Sequence, residues 1–198
     1  MRLLNASTMK LHQFIGDANP KYAILSHTWR EEEVLFEDIS KPVDQISGMV
    51  GFFKVERCCK QALDDGWDYV WIDTCCINKD SSAELSEAIN SMYEWYKAAE
   101  VCYAFLADVG LDSTFVESRW FSRGWTLQEL LAPRRLIFYD CHWEEIGTKQ
   151  TLLEEVEAAT GIMRHHIDRP QVRSIQPTSI TRSWLMYESL LPINICHR

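Results

Sequence analysis

The sequence predicts an α/β protein built on a parallel β-sheet with helices on both faces. Four short apolar runs have the length and the β-branched and aromatic content of buried strands. Longer stretches with apolar residues at helical spacing separate these runs. The 198 residues are enough for one domain with a hydrophobic core. Strands that alternate with helices in this way form parallel sheets covered on both sides.

The first half of the alternation is a strand, a polar stretch and a helix. The first strand is predicted over residues 22–26, after the turn-forming pair Asn19 and Pro20. An acidic, linker-like stretch follows over residues 31–44. Apolar residues at helical spacing then predict a helix that starts near Phe52 and that Gly66 is placed to end.

The second half repeats the pattern three times. Residues 69–73 predict the second strand, and a capping box from Ser81 to Glu84 opens a helix of roughly 18 residues. The third and fourth strands are predicted over residues 101–106 and 135–139. A short helix over residues 125–131 lies between them, and a last helical stripe over residues 152–159 ends at Gly161.

Composition excludes several classes of protein. Lysine and arginine number 20 against 29 aspartates and glutamates, and the net charge of −9 disfavours a nucleic-acid or anionic-membrane partner. No apolar run is long enough to predict a membrane span. The seven cysteines are an odd number and lack the CxxC spacing of zinc sites, so we expect neither a disulfide framework nor a metal. These features favour a reducing, cytoplasmic location.

Candidate site residues follow the first two strands. Ser26, His27, Thr28 and Trp29 end the first strand, and Asp73 ends the second. The carboxyl ends of parallel strands meet at one edge of the sheet, where ligands collect. His27 could serve there as a general base or as a hydrogen-bonded structural group.

A third candidate lies on the short helix. Trp125 and Glu129 are four residues apart and share one helix face. A carboxylate beside an indole is suited to stabilising a sugar-like cation. The alternative is an ion pair between Glu129 and a neighbouring arginine, for which Arg119, Arg123 and Arg134 are candidates. Spacing alone leaves both interpretations open.

Other catalytic signatures are weak or missing. Cys75 or Cys76 could act as a nucleophile paired with His27, but adjacent cysteines more often pack in the core. The sequence has no GxxxxGK[ST] loop, no GxGxxG after a strand and no GxSxG elbow. Nucleotide hydrolysis at a phosphate and serine-hydrolase chemistry are therefore unsupported.

Three segments together resemble the fungal heterokaryon incompatibility (HET) domain. They are YAILSHTW at residues 22–29, WIDTCCIN at residues 71–78 and SRGWTLQELLAP at residues 122–133. The resemblance covers residues 1–175, including the opening MRLL, and predicts one HET domain there. Residues 176–198 depart from it and are predicted to be a divergent C-terminal tail.

The resemblance implies a cell-death effector of fungal allorecognition. HET domains are similar to TIR domains, which are flavodoxin-like units that signal by self-assembly and in several branches cleave NAD at the nicotinamide–ribose bond. A flavodoxin-like, TIR-like parallel sheet with family-specific insertions is therefore expected. The implied catalytic residue is Glu129, and NAD would be a substrate with no cofactor or metal required. The implied substrate-binding residues are Ser26, His27, Thr28, Trp29, Asp73 and Trp125.

Two functional hypotheses remain open after the resemblance. In the first, assembled domains hydrolyse NAD with Glu129. In the second, the domain is a non-enzymatic adaptor that acts by self-association or through a receptor-type partner with a nucleotide-binding oligomerisation module. The hydrolase hypothesis expects Glu129 to face an open cleft near the ends of the first two strands, and an arginine lock on its carboxylate would argue against it.

Overall fold

A seven-stranded mixed sheet organises the part of the chain that the structure describes, residues 1–15 and 19–167 of a computed structural model. The strand order is β2-β1-β4-β3-β5-β6-β7. In chain order the strands are β1 (Arg2–Asn5), β2 (Leu11–Gln13), β3 (Ala23–His27), β4 (Tyr69–Trp71), β5 (Val101–Phe105), β6 (Leu136–Tyr139) and β7 (Glu145–Thr148).

The four predicted strands form the parallel centre of this sheet. β3 pairs in parallel with β4 on one side and with β5 on the other, and β5 pairs in parallel with β6. Every residue of β3 and β5 is buried, as their continuous apolar runs predict. The prediction of a purely parallel sheet is wrong, because β1 pairs antiparallel with both β2 and β4, and β7 pairs antiparallel with β6.

Helices cover both faces of the sheet. They are α1 (Val43–Ile46), α2 (Phe52–Asp64), α3 (Asp73–Cys76), α4 (Ser82–Ala98), α5 (Thr126–Leu131), α6 (Leu153–Thr160) and α7 (Arg164–Ile167). Tyr103 of β5 donates a hydrogen bond to Asp65 at the end of α2. Trp71 of β4 packs against Tyr96 of α4. Trp71 and Cys102 both pair with Ile24 of β3, so their side chains lie on the same face of the sheet. Tyr103 follows Cys102 in β5, and its side chain therefore lies on the face opposite to that of Trp71.

The helix ends follow the predicted signals. The Ser81 hydroxyl accepts a hydrogen bond from the Glu84 N–H, which caps a helix of 17 residues. Gly161 ends α6 with φ 69°, a left-handed conformation that favours glycine. The stretch at residues 31–44, predicted as a linker, instead contributes Val34 and Ile39 to the core.

The described residues also bear on membrane spans and on the predicted domain boundary. The described helices include none that is long and apolar enough to cross a membrane. The predicted tail, residues 176–198, lies outside the described residues. The predicted domain boundary at residue 175 also lies there.

Candidate functional site

The candidate site lies where the sheet order reverses. From β3 the chain passes through α2 to β4 on one side, and then through α4 to β5 on the other side of β3. In open α/β sheets such a reversal leaves a crevice at the carboxyl ends of the strands. Ser26 and His27 are the last two residues of β3, and their side chains point to opposite faces of the sheet.

Glu129 lies on the α5 side of this crevice, against Ser26. The Ser26 hydroxyl donates a hydrogen bond of 2.5 Å to Glu129 Oε2 and accepts one of 2.7 Å from the Trp120 indole N–H. Arg123 donates to both carboxylate oxygens, with distances of 2.8 Å from Nη1 to Oε2 and 2.9 Å from Nη2 to Oε1. We call these four residues, Ser26, Trp120, Arg123 and Glu129, the carboxylate clamp.

Local packing holds the clamp in place. Trp120 lies in a 3₁₀ turn (Arg119–Ser122) and packs edge-to-face against Phe121 and Phe138. The Thr126 hydroxyl donates 2.6 Å to the Trp120 carbonyl, which ties the first residue of α5 to that turn. Because Trp120 and Ser26 are fully buried, the hydrogen bonds from Trp120 to Ser26 and from Ser26 to Glu129 are shielded from water.

The structure bears on both sequence interpretations of Glu129, an accessible carboxylate or an ion pair with an arginine. The carboxylate lies at the end of the first strand, as the hydrolase hypothesis expects, but Glu129 is only 3% exposed and does not face an open cleft. Arg123 is the partner, one of the three predicted arginines, whereas Arg119 lies beside Asp108 at 3.6 Å. Burial lowers the pKa of Arg123, but Glu129 outweighs burial and the net pKa is raised. Arg123 is therefore cationic, and its two hydrogen bonds to Glu129 are charge-assisted.

A second polar cluster lies at the ends of β3 and β4. The Trp29 indole N–H donates 2.7 Å to Asp73 Oδ2, and His27 Nε2 lies 3.6 Å from Asp73 Oδ1. The Lys79 ammonium sits 3.4 Å above the centre of the Trp29 ring, a cation–π contact. The Trp29 side chain is half exposed, while His27 is buried. We call these residues, His27, Trp29, Asp73 and Lys79, the edge cluster.

Burial shifts the protonation of the edge cluster. The pKa of His27 is lowered well below its usual value by burial first, and then by the charges of Lys54, Arg123 and Lys79. The pKa of Asp73 is raised, with burial as the largest cause. His27 is therefore neutral near pH 7, and one ring nitrogen is a donor and the other an acceptor.

Several polar atoms of the edge cluster are buried without a hydrogen bond. Within residues 1–15 and 19–167, no hydrogen-bond partner is present for either ring nitrogen of His27, for Asp73 Oδ1 or for Lys79 Nζ. Buried polar atoms are nearly always paired in folded proteins, so four such atoms in one place are exceptional. Sequence reasoning selected His27 and Asp73 but not Lys79, which lies six positions after Asp73.

The remaining candidate residues lie around these two groups. Thr28 is half-buried and its carbonyl accepts a long hydrogen bond of 3.4 Å from Lys54. Trp125 precedes α5 and is 41% exposed. Cys75 and Cys76 are buried in α3, and burial is the largest cause of their raised pKa values, as expected of packing residues. The described ranges contain no group of three or more side chains arranged to hold a metal ion.

Comparison with known proteins identifies the family. Residues 22–116 match the family described as "Heterokaryon incompatibility protein (HET)". The chain is also 42% identical over 156 residues to the vegetative incompatibility protein HET-E-1 of Podospora anserina. The chain belongs to the HET family. The alignment covers 72% of the chain but only 11% of HET-E-1.

The family match bears unequally on the two groups. The matched residues of the HET domain include Ser26 and the whole edge cluster, and they end before Arg123 and Glu129. No solved structure matches the chain. The similarity of this HET domain to TIR domains therefore stays a prediction.

Proposed function

We propose that this HET domain is a cytoplasmic cell-death signalling module of vegetative incompatibility that acts by self-association. The observation that carries the proposal is the 42% identity to a vegetative incompatibility protein. Because the chain spans 11% of that protein, the signalling role of the whole protein is transferred here as a proposal. We also propose a flavodoxin-like centre, since β4-β3-β5-β6 is the strand order 2-1-3-4 when only parallel strands are counted.

The carboxylate clamp favours signalling without catalysis in the isolated domain. Both oxygens of Glu129 accept charged hydrogen bonds from Arg123, and Oε2 also accepts from Ser26. A carboxylate that stabilises a ribose cation must approach the sugar, and this one is buried and already paired with Arg123. In this proposal Glu129 is a structural residue that fixes α5 to the end of β3.

Forced clustering tests the proposal. The full chain is fused to an inducible oligomerisation module and expressed in fungal cells. We expect the cells to die only when the inducer is added, because self-association is the trigger. Survival after clustering, with the fusion present at full abundance, would contradict the proposal. Equal killing without inducer would contradict it as well, after confirmation that the uninduced fusion is monomeric.

A second candidate function is hydrolysis of NAD, and the unpaired atoms of the edge cluster favour it. Among the described residues, the His27 ring nitrogens, Asp73 Oδ1 and Lys79 Nζ are buried without a hydrogen bond at the sheet edge where ligands bind. Hydrolysis would require Arg123, whose side chain is 20% exposed, to leave Glu129 on assembly. The freed carboxylate would then stabilise positive charge on the ribose as nicotinamide departs and water adds to the sugar.

Nicotinamide release separates the two candidates. The clustered, purified chain is incubated with NAD, and free nicotinamide is measured. The hydrolase candidate expects release that Glu129→Gln abolishes, and the signalling candidate expects none from either protein. Arg123→Lys is a further test, because lysine keeps the positive charge but loses the paired hydrogen bonds and so loosens the clamp. Only a hydrolase would release more nicotinamide as a result.

A further inference from the structure

We propose that β2 is the surface at which two copies of this HET domain join their sheets edge to edge. β2 is the outermost strand on one side of the sheet, and within residues 1–15 and 19–167 only β1 pairs with it. A free strand edge carries N–H and C=O groups that can pair with a strand of another chain. The inference rests on the proposed self-association and names the surface that performs it.

The register of β2 against β1 shows which backbone groups are free. The Lys10 carbonyl accepts a hydrogen bond of 2.9 Å from the last residue of β1, and the Phe14 N–H donates one of 2.9 Å at the other end of the pair. Alternate residues of an antiparallel strand bond the same neighbour, so residues 10, 12 and 14 face β1. The N–H and C=O groups of Leu11 and Gln13 therefore point away from β1, toward the open edge.

The side chains along this edge are also accessible. His12 and Gln13 point to opposite faces of the sheet and both are exposed, and Ile15, just after the strand, is 85% exposed. Leu11 and Gln13, together with Phe36, line an open groove of about 500 Å³. The groove leaves room for the side chains of an added strand, and an exposed isoleucine beside a free edge favours pairing with another chain.

The opposite edge of the sheet, β7, is closed to such pairing. The Thr148 N–H donates 2.8 Å to the Thr151 hydroxyl, and the Thr148 carbonyl accepts 3.0 Å from the Leu152 N–H. The register of β7 against β6 also shifts between Phe138 and Tyr139, and such an irregularity interrupts an edge. Among the described residues β2 is therefore the open edge, so a second copy of this chain would pair with it through its own β2.

Two β2 strands are complementary when a two-fold axis passes beside His12. Leu11 of each copy then lies opposite Gln13 of the other, and the two residues exchange both backbone hydrogen bonds. The two His12 residues face each other as a non-hydrogen-bonded pair, with Cα atoms about 4.5 Å apart. Because so short a pairing is marginal alone, we expect a weak dimer that clustering of the copies populates.

Cysteine cross-linking tests this register in the clustered full chain. Two cysteines at position 12 would bring their Cα atoms within the roughly 4.4–6.8 Å that a disulfide spans, so His12→Cys should form a covalent dimer on mild oxidation. Lys10→Cys is the matched control, because Lys10 is also exposed and two residues at position 10 would lie roughly 13 Å apart. The unsubstituted chain gives the background from the seven native cysteines. Equal cross-linking of the two variants, or none above background, would overturn the proposal.

Proline at position 13 tests the backbone hydrogen bonds. Gln13→Pro removes an N–H that points to the open edge and leaves the bonds to β1 in place, whereas Gln13→Ala keeps that N–H. Sedimentation of the full chain measures the dimer up to about 1 mM. We expect Gln13→Pro to weaken dimerisation about tenfold or more and Gln13→Ala to leave it nearly unchanged. Equal dimerisation of the two variants, or no dimer of the unsubstituted chain, would contradict the proposal.

Thermal unfolding checks that Gln13→Pro is folded, and the cysteine pair decides the proposal if it is not. Failure of the surface and failure of the proposed function are distinguishable. If clustering kills cells while His12→Cys does not cross-link, self-association keeps its role and β2 is not the surface. If His12→Cys cross-links while clustered cells survive, β2 is a dimer surface and the signalling role is wrong.

Discussion

The carboxylate clamp should make Glu129 one of the most stabilising polar residues of the domain. Glu129→Ala leaves the Arg123 guanidinium and the Ser26 hydroxyl without their acceptor. Loss of one partner of a buried ion pair costs about 3–5 kcal/mol, and water reaches the partly exposed Arg123, so the lower end, about 3 kcal/mol, applies. Urea unfolding followed by tryptophan fluorescence measures the free energy of unfolding.

Two comparisons make this prediction specific. Glu94→Ala removes an exposed carboxylate that lies 3.3 Å from Lys97, and it should cost under about 0.5 kcal/mol. Arg123→Ala should cost much less in the Glu129→Ala background than alone, because the unpaired cation is then removed. A cost of Glu129→Ala below about 1 kcal/mol, or equal effects of Arg123→Ala in both backgrounds, would refute the reasoning.

Three other predictions test the fold around the site. The pKa of His27 is lower in the folded domain than in the unfolded chain, so on acidification the unfolded chain binds a proton before the folded domain does. The free energy of unfolding should therefore fall as pH drops through 6.5, by up to about 1.4 kcal/mol per pH unit. Urea titrations at several pH values measure this dependence, and His27→Gln should remove the part that His27 contributes. An unchanged pH dependence in His27→Gln would contradict the prediction. Gly51→Ala should destabilise by about 1–3 kcal/mol, because its Cβ would meet a backbone carbonyl oxygen at 2.7 Å, whereas Gly48→Ala has open space; thermal unfolding that ranks them equally would contradict the close approach. Ser81→Ala should cost about 1 kcal/mol through loss of the N-cap of α4, and Ser82→Ala, one residue further on, should cost less; the reverse order in urea unfolding would contradict the cap.

The parallel centre of the fold could be predicted because its signals are local. The buried runs of β3 and β5 and the capping box at Ser81 each lie within a few consecutive residues. β1, β2 and β7 were missed because none of them has a continuous buried apolar run, since their sequences are RLLN, LHQ and EIGT and only Leu3 and Leu4 among these residues are buried. β2 and β7 are antiparallel edge strands, which need not be apolar on both faces and so give a weaker sequence signal than a central parallel strand.

The site was predictable only in part. The rule that ligands collect at the carboxyl ends of parallel strands brought Ser26 and Asp73 together, and the family resemblance added Glu129. Ser26 and Glu129 lie 103 positions apart in the sequence, and no sequence pattern indicates the hydrogen bond between them. Arg123 was one of three possible partners, and only tertiary packing selected it. The position of Lys79 over the Trp29 ring had no signal in the sequence, since isolated lysines are usually solvated.

The viability of fungal cells that carry the clustered Glu129→Gln domain tests the central claim most directly. Glutamine retains an acceptor for Ser26 and Arg123 but cannot stabilise a ribose cation. Our account predicts that these cells die as readily as cells with the unchanged domain, at equal protein abundance. Survival of the Glu129→Gln cells, with the domain folded and clustered, would contradict it.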